Sequence, residues 1–261
     1  MTFEGDATPA SKFDSDLYRS EPVSFVRRGT RLQGRRLNAW EKYADQFLIE
    51  VPRHIADTSV SKDFDFDDAA HFGRTAPLVI EVGSGLGEAM VARAGEEPER
   101  NFLAVEVYRP GLAQLMLKAG TAGLTNVRCV QANAPEVFDV LDDGSVNEVW
   151  VFFPDPWHKA RHNKRRLVND AFAARVARVL RPGGLWRLAT DWDEYADQML
   201  EVLTNSPDFE NLHESWAPRF EGRIVTSFET KAHKAGRTIH DLTFRRVEGT
   251  QKTDGAEPAA I

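Results

Sequence analysis

The chain has a single cysteine, Cys129, in 261 residues. An intrachain disulfide is therefore impossible, and a four-cysteine zinc site is excluded. Long apolar runs are missing too. Nothing approaches the roughly 20 residues that a membrane-spanning helix needs, and the opening MTFEGDATPASKFDSD has no charged-then-apolar signal pattern. These absences point to a reducing cytoplasm; neither a membrane partner nor a metal centre is expected. There is no internal repeat, which sets solenoids aside. Excess positive charge is also lacking: 33 Lys and Arg face 40 Asp and Glu, a net charge of −7. That balance argues against a protein that coats nucleic acid over its whole surface, but it leaves room for a local basic face.

The basic residues that are present are unevenly placed. Arg27, Arg28, Arg31, Arg35 and Arg36 form one cluster, Lys159, Arg161, Lys164, Arg165 and Arg166 a second, and Lys231, Lys234 and Arg237 a looser third. One such cluster is ordinarily a solvated helix face; three on an acidic chain raise the case for a shared anionic ligand.

Residues 1–22 and 248–261 are polar, small and aperiodic, and are expected to be disordered tails around one domain, residues 23–247. Within it, Leu78–Val82, Phe102–Val107, Val127–Gln131, Val146–Phe153 and Leu185–Ala189 read as strands dense enough in apolar residues to be covered on both faces. Helical patterns fall between them at Gly87–Ala94, Arg109–Ala122 and Val168–Leu180, the last ending at Arg181-Pro182-Gly183-Gly184. A further helix, Asp193–Leu203, follows the fifth strand. Phe209–His213 and Ile239–Arg246 read as a terminal strand pair, Ser59–Thr75 as an acidic loop, and an Arg-rich N-terminal helix is expected over 23–50, with helical spacing at Arg31–Gln46. Strand–helix alternation implies a doubly wound, mostly parallel α/β sheet.

Gly83, Gly85 and Gly87 follow the first strand directly, where ligands bind in open α/β sheets. Glu106 lies nineteen positions after Gly87, placed to take the hydroxyls of an adenosine ribose. That much fits a nicotinamide dinucleotide or S-adenosylmethionine. However, the glycine spacing is G-x-G-x-G, and Glu81 just before the turn would repel a pyrophosphate while accepting from an ammonium. A cationic, phosphate-free cofactor fits better. Asn133 follows the third strand, where it can meet an adenine edge, cap the next helix, or both.

The fourth strand runs into Phe152-Phe153-Pro154-Asp155-Pro156-Trp157. Two prolines stiffen this turn and hold Asp155 at the carboxyl end of a central strand, with aromatics able to wall in a flat ring. The continuous FFPDPWHKARHNKRRLVN resembles the bacterial tRNA (guanine-N7-)-methyltransferase family, supported by SFVRR, EVGSGLGE, ATDWDEYA and TSFETKAHKAGRTIHDLTF. The resemblance covers roughly residues 23–246. Asn133 departs from it, standing where many relatives have Asp.

The resemblance implies a seven-stranded, Rossmann-like class I methyltransferase fold and methyl transfer from S-adenosylmethionine to a guanosine N7 in the tRNA variable loop. It implies cofactor binding by Glu81, Gly83, Gly85, Gly87, Glu106, Asn133 and Asp155, with Asp155 also catalytic. Substrate contacts are implied at Lys159, Asp191, Thr226, Ser227, Phe228 and Glu229. RNA contacts are implied at Arg161, His162, Asn163, Lys164, Arg165, Arg166, Arg27 and Arg28. The partner expected is tRNA, with no protein partner required and the chain a monomer or weak homodimer.

Overall fold

The computed structural model describes residues 31–248. Both tails assigned to disorder, except residue 248, and the Arg27–Arg28 pair lie outside the described residues.

Helix α1 (Arg35–Phe47) is followed by the short α2 (Asp68–Phe72). Next come β1 (Leu78–Val82), α3 (Glu88–Glu96), β2 (Asn101–Val105), α4 (Arg109–Thr121), β3 (Val127–Val130), α5 (Ala134–Asp139) and β4 (Val146–Phe152). A six-residue 3₁₀ helix, Ala160–Arg165, precedes α6 (Asp170–Val179) and β5 (Leu180–Thr190). The chain ends through α7 (Asp193–Asn205), β6 (Phe209–Asn211), α8 (Ser227–Lys234) and β7 (His240–Arg246).

The seven strands lie in the order β3-β2-β1-β4-β5-β7-β6. β1 through β5 pair in parallel, while β7 runs antiparallel to both β5 and β6. Period-two alternation divides the core. Val79 and Trp150 face a cluster with Phe47, Met90 and Leu115 from α1, α3 and α4. Ile80 and Val149 face the opposite cluster, with Phe138, Phe172 and Met199 from α5, α6 and α7. Covering on both faces explains why the parallel strands read as nearly unbroken apolar runs. The chain winds outward from β1 in one direction and from β4 in the other, so their carboxyl ends open a crevice.

Three expectations change. The N-terminal helix is shorter than 23–50: Gly34 caps it at φ 51°, and it stops at Phe47, beyond which Leu48 bridges to Cys129 of β3. The Ser59–Thr75 loop contains α2, started by the Asp67 side chain accepting from the Ala70 N–H and stopped by left-handed Gly73. Five residues are too few for a periodicity to register. Finally, Arg181-Pro182-Gly183-Gly184 does not separate α6 from a strand at Leu185. β5 pairs from Leu180 onward, and these four residues form the irregularity where Val146 and Glu148 of β4 face Leu180 and Leu185.

Candidate active site

Between β1 and α3 the chain turns through Gly83, Gly85 and Gly87, with φ of 73°, 56° and 68°. These are left-handed values that a Cβ makes costly. At Gly87 packing adds a second reason, because a Cβ would lie 2.5 Å from Leu115 Cγ of α4. The pressure is mutual: a Cβ on Gly111 of α4 would stand 2.3 Å from the Gly85 carbonyl oxygen. Gly111 therefore lets a second helix close on the loop. Sequence reading missed it, since one glycine near a helix start carries no signal of what it packs against.

Two buried acids flank this loop. Glu81 accepts from the Met90 backbone N–H, while its Oε2 is buried with no hydrogen-bond partner. Burial first, and then the charge of Glu106, push its pKa up to about 8. An orphaned, desolvated carboxylate oxygen is costly unless a donor arrives, and a cation is the donor it favours most. Glu106 accepts from the Gly85 N–H at 2.8 Å, the Val107 N–H at 2.8 Å and the Tyr108 N–H at 2.9 Å. Burial raises its pKa, the three N–H groups oppose that rise, and the charge of Asp155 adds to it. Three of about four acceptor positions on a carboxylate are thus in use. Holding both ribose hydroxyls, as expected from sequence, requires Glu106 to give up a backbone partner such as Gly85. Asn133 stands at the N-cap of α5 but makes no side-chain cap bond; its Nδ2 lies 3.5 Å from Glu136 Oε1.

After β4, Phe153 and Trp157 both take left-handed φ, 53° and 47°, on either side of Pro154-Asp155-Pro156. Non-glycine residues there cost on the order of 1–3 kcal/mol each and persist only where surroundings enforce them. The Phe153 N–H donates to the Ala189 carbonyl of β5 at 2.7 Å, which pins the first end of the arch. Asp155 is exposed at its crown. Asp155, Glu106 and Glu81 thus form a chain of carboxyl groups, each raising the pKa of the next. Such an arrangement suits a cofactor that carries an ammonium and a sulfonium and no phosphate.

A family model described as "Putative methyltransferase" matches residues 75–242. The chain is 51% identical to the tRNA (guanine-N(7)-)-methyltransferase of Paenarthrobacter aurescens (strain TC1), over 92% of this chain and 96% of that one. It is 47% identical to the enzyme of the same name from Cutibacterium acnes (strain DSM 16379 / KPA171202), over 89% and 86%. The chain belongs to the tRNA (guanine-N(7)-)-methyltransferase family. It is an S-adenosylmethionine-dependent methyltransferase. Among solved structures, the 16S rRNA methyltransferase KamB shares the fold at 18% identity and a TM-score of 0.53, covering 71% of this chain and 96% of that one.

The other residues expected from sequence lie after β4, after β5 and at the start of α8. Residues 159–166 follow the arch as a basic 3₁₀ turn. Lys159, Arg161, Lys164 and Arg165 are exposed, and His162 and Asn163 are half-buried. Arg166 departs from the sequence reading. It is 2% exposed, with its guanidinium turned inward, so it does not join the outward-facing charges. That one cation of the run is buried cannot be read from Lys164-Arg165-Arg166, where three adjacent side chains are all basic.

Thr226-Ser227-Phe228-Glu229 begins a helix rather than an ordinary turn. Thr226 caps α8 by accepting from the Glu229 N–H at 3.2 Å, and Glu88 of α3 accepts from the Ser227 N–H at 2.9 Å. Phe228 is exposed and lies over the glycine loop, its Cε2 3.5 Å from where a Gly85 Cβ would stand. Glu229 points inward. It pairs with Arg219 at 2.7 Å and Arg223 at 3.3 Å, and Arg223 in turn grips Asp241 of β7 at 2.6 and 3.0 Å. Burial pushes the Glu229 pKa up, but the two arginines outweigh it and hold the carboxyl below its ordinary value. Fully buried Arg223 also lies over the rings of Phe152 and Phe153. This network, absent from the sequence reading, ties α8 to the end of β4. Asp191, after β5, is paired with Arg237 at 2.7 Å, so the third basic cluster meets a predicted substrate residue. It does not cap α7, whose N-cap is Trp192.

Proposed function

We propose that this enzyme methylates N7 of the guanosine at position 46, in the variable loop of tRNA. The observation that carries the reading is the arrangement after β4: an exposed carboxylate on a strained arch, beside two buried acids, followed at once by a turn of exposed cations. Bound S-adenosylmethionine supplies an electrophilic methyl group on a cationic sulfur.

Guanine N7 offers an in-plane lone pair and carries no proton, so this chain need provide no general base. What its residues must supply is alignment and field. Glu81 holds the ammonium end, Gly83, Gly85 and Gly87 let backbone approach closely, and Glu106 takes a ribose hydroxyl, with Asn133 beside the adenine. Asp155 accepts from the guanine N1–H and N2–H₂ edge and stabilises the positive charge that develops on the purine. Asp191, Lys159, Thr226, Ser227 and Phe228 complete the wall around the base, with Glu229 holding that wall in place through its arginines. The base must leave its stack to reach this site. Arg161, His162, Asn163, Lys164 and Arg165 then hold the flanking backbone.

Incubation with labelled S-adenosylmethionine and tRNA lacking modification, followed by nucleoside analysis and mapping, should give 7-methylguanosine in the variable loop. A preparation that binds cofactor yet leaves that nucleoside unmodified would sink the reading.

A further inference from the structure

We propose that Arg166 is a positioning residue for Asp155, acting as an internal strut rather than as a contact to RNA. Its Nε donates at 2.8 Å to the carbonyl of Pro156, the residue directly after Asp155. Its Nη1 donates to Gln198 Oε1 at 2.8 Å and more weakly to the Glu194 carbonyl at 3.4 Å, both on α7. The guanidinium lies over the Tyr195 ring at 5.0 Å. Tyr195 is itself fixed, because its hydroxyl accepts from the Val168 N–H at 2.9 Å, and Gln198 Nε2 donates to the Val168 carbonyl at 3.0 Å. One buried side chain thus joins the end of the arch to the first turns of α7 and to the approach to α6.

The arch needs such a fastening. Its first end is held by the Phe153–Ala189 backbone bond. Only Pro154, Asp155 and Pro156 lie between the two left-handed residues, and neither proline has an N–H to donate. The Arg166 bond to Pro156 holds the second end and with it the direction of the Asp155 side chain. A lysine cannot replace it, since a single ammonium on a flexible stem does not reproduce the planar fork that spans Pro156 and Gln198. Neighbouring Arg165 has the opposite placement: it is exposed, with its guanidinium 5.0 Å from the Trp157 ring centre.

The rate arm of the test rests on the tRNA reading above; the exchange arm does not. Full-length protein carrying Arg166→Lys is compared with wild type in three measurements. These are the single-turnover methylation rate at saturating unmodified tRNA, the salt dependence of tRNA affinity, and hydrogen exchange of residues 153–160 in the RNA-free protein. The strut predicts a rate at least about tenfold lower, an unchanged salt slope and faster exchange across the arch. Arg165→Gln should instead weaken tRNA binding and reduce the slope by about 0.7, the value for one single-strand phosphate. A slope reduced by Arg166→Lys with the rate at saturation retained overturns the proposal, as do a rate and exchange equal to wild type. If Arg166→Lys does not fold, Gln198→Leu decides: a few-fold slower rate with faster arch exchange supports the strut, and wild-type values for both overturn it. An inactive wild type would sink the tRNA reading alone, because the exchange comparison still stands.

Discussion

The two sides of the crevice solve opposite electrostatic problems. On the β1–β2 side, Glu81 and Glu106 are buried, short of partners or held by backbone N–H groups, and pushed toward the protonated form. On the side after β4, Lys159, Arg161, Lys164 and Arg165 stand in water. Buried charges interact strongly and resist salt, whereas exposed ones interact weakly and are screened beyond roughly 8–10 Å at ordinary ionic strength. The difference matches ligand size. A small cationic cofactor can be enclosed by a few desolvated acids, while a long polyanion is held by many weak contacts along its length. Asp155 belongs to both sides, being exposed like the bases yet felt electrostatically by Glu106.

Asp155→Ala should therefore give the largest effect. Turnover at saturating tRNA is expected to fall about 10²-fold or more, the scale of losing one preorganised electrostatic group. Cofactor affinity should change only a few-fold, because Glu81 and Glu106 remain. Calorimetric titration of the cofactor alongside single-turnover kinetics separates these outcomes. A parallel collapse of both would erase the distinction between the two sides.

Next in size is the glycine loop. Gly87→Ala combines a left-handed φ with a Cβ 2.5 Å from Leu115, whereas at Gly83, with φ 73°, a Cβ meets nothing within 4 Å. Chemical denaturation should show Gly87→Ala costing about 2–4 kcal/mol and Gly83→Ala about 1–2 kcal/mol. Equal losses would mean that backbone conformation alone, and not the closeness of α4, sets the loop.

The acidic side also makes a pH prediction. With its pKa raised from 4.5 to about 8, Glu81 keeps a proton in the folded chain that the unfolded chain has already released. Between those two values the cofactor-free protein should lose stability as pH rises, and the contribution should level off above pH 8. Glu81→Gln should remove this part of the dependence and raise the melting temperature of the cofactor-free protein at pH 8. It should also weaken S-adenosylmethionine binding about tenfold, by removing a charged hydrogen-bond acceptor. Wild-type affinity should tighten as pH rises toward 8, until the cofactor's own α-ammonium begins to lose its proton. A variant that melts at the wild-type temperature would mean that ionising Glu81 does not strain the fold, and one that binds as tightly as wild type would place the cofactor's ammonium elsewhere.

What could be read from sequence and what could not divides along a physical line. The parallel strands were legible because burial on both faces leaves runs such as LVIEV, and the glycine loop because each of its glycines takes a backbone shape other residues avoid. Asp155 was legible through its prolines. Arg223, Asp241 and Gly111 were not, since each acquires its role from a partner far along the chain. Arg166 was misread for another reason: adjacent basic residues carry identical chemistry, and only the 3₁₀ turn decides that Arg165 faces water and Arg166 faces the core. α8 escaped notice because eight residues with two buried positions, Glu229 and Ala232, give little periodic signal.

The smallest effects belong to the exposed cations, one at a time. An exposed charge contributes about 1 kcal/mol or less, so Arg161→Gln or Lys164→Gln should weaken tRNA binding only a few-fold near physiological salt. Their signature is the slope of log affinity against log salt. It should shrink by about 0.7 for each single-strand phosphate that the variant no longer neutralises, or by about 0.9 on a duplex. Cofactor affinity, measured over the same salt series, should stay nearly flat, because its partners are buried. Should the cofactor show the steep salt dependence and tRNA the flat one, burial would no longer explain why one side of this crevice is acidic and enclosed and the other basic and open.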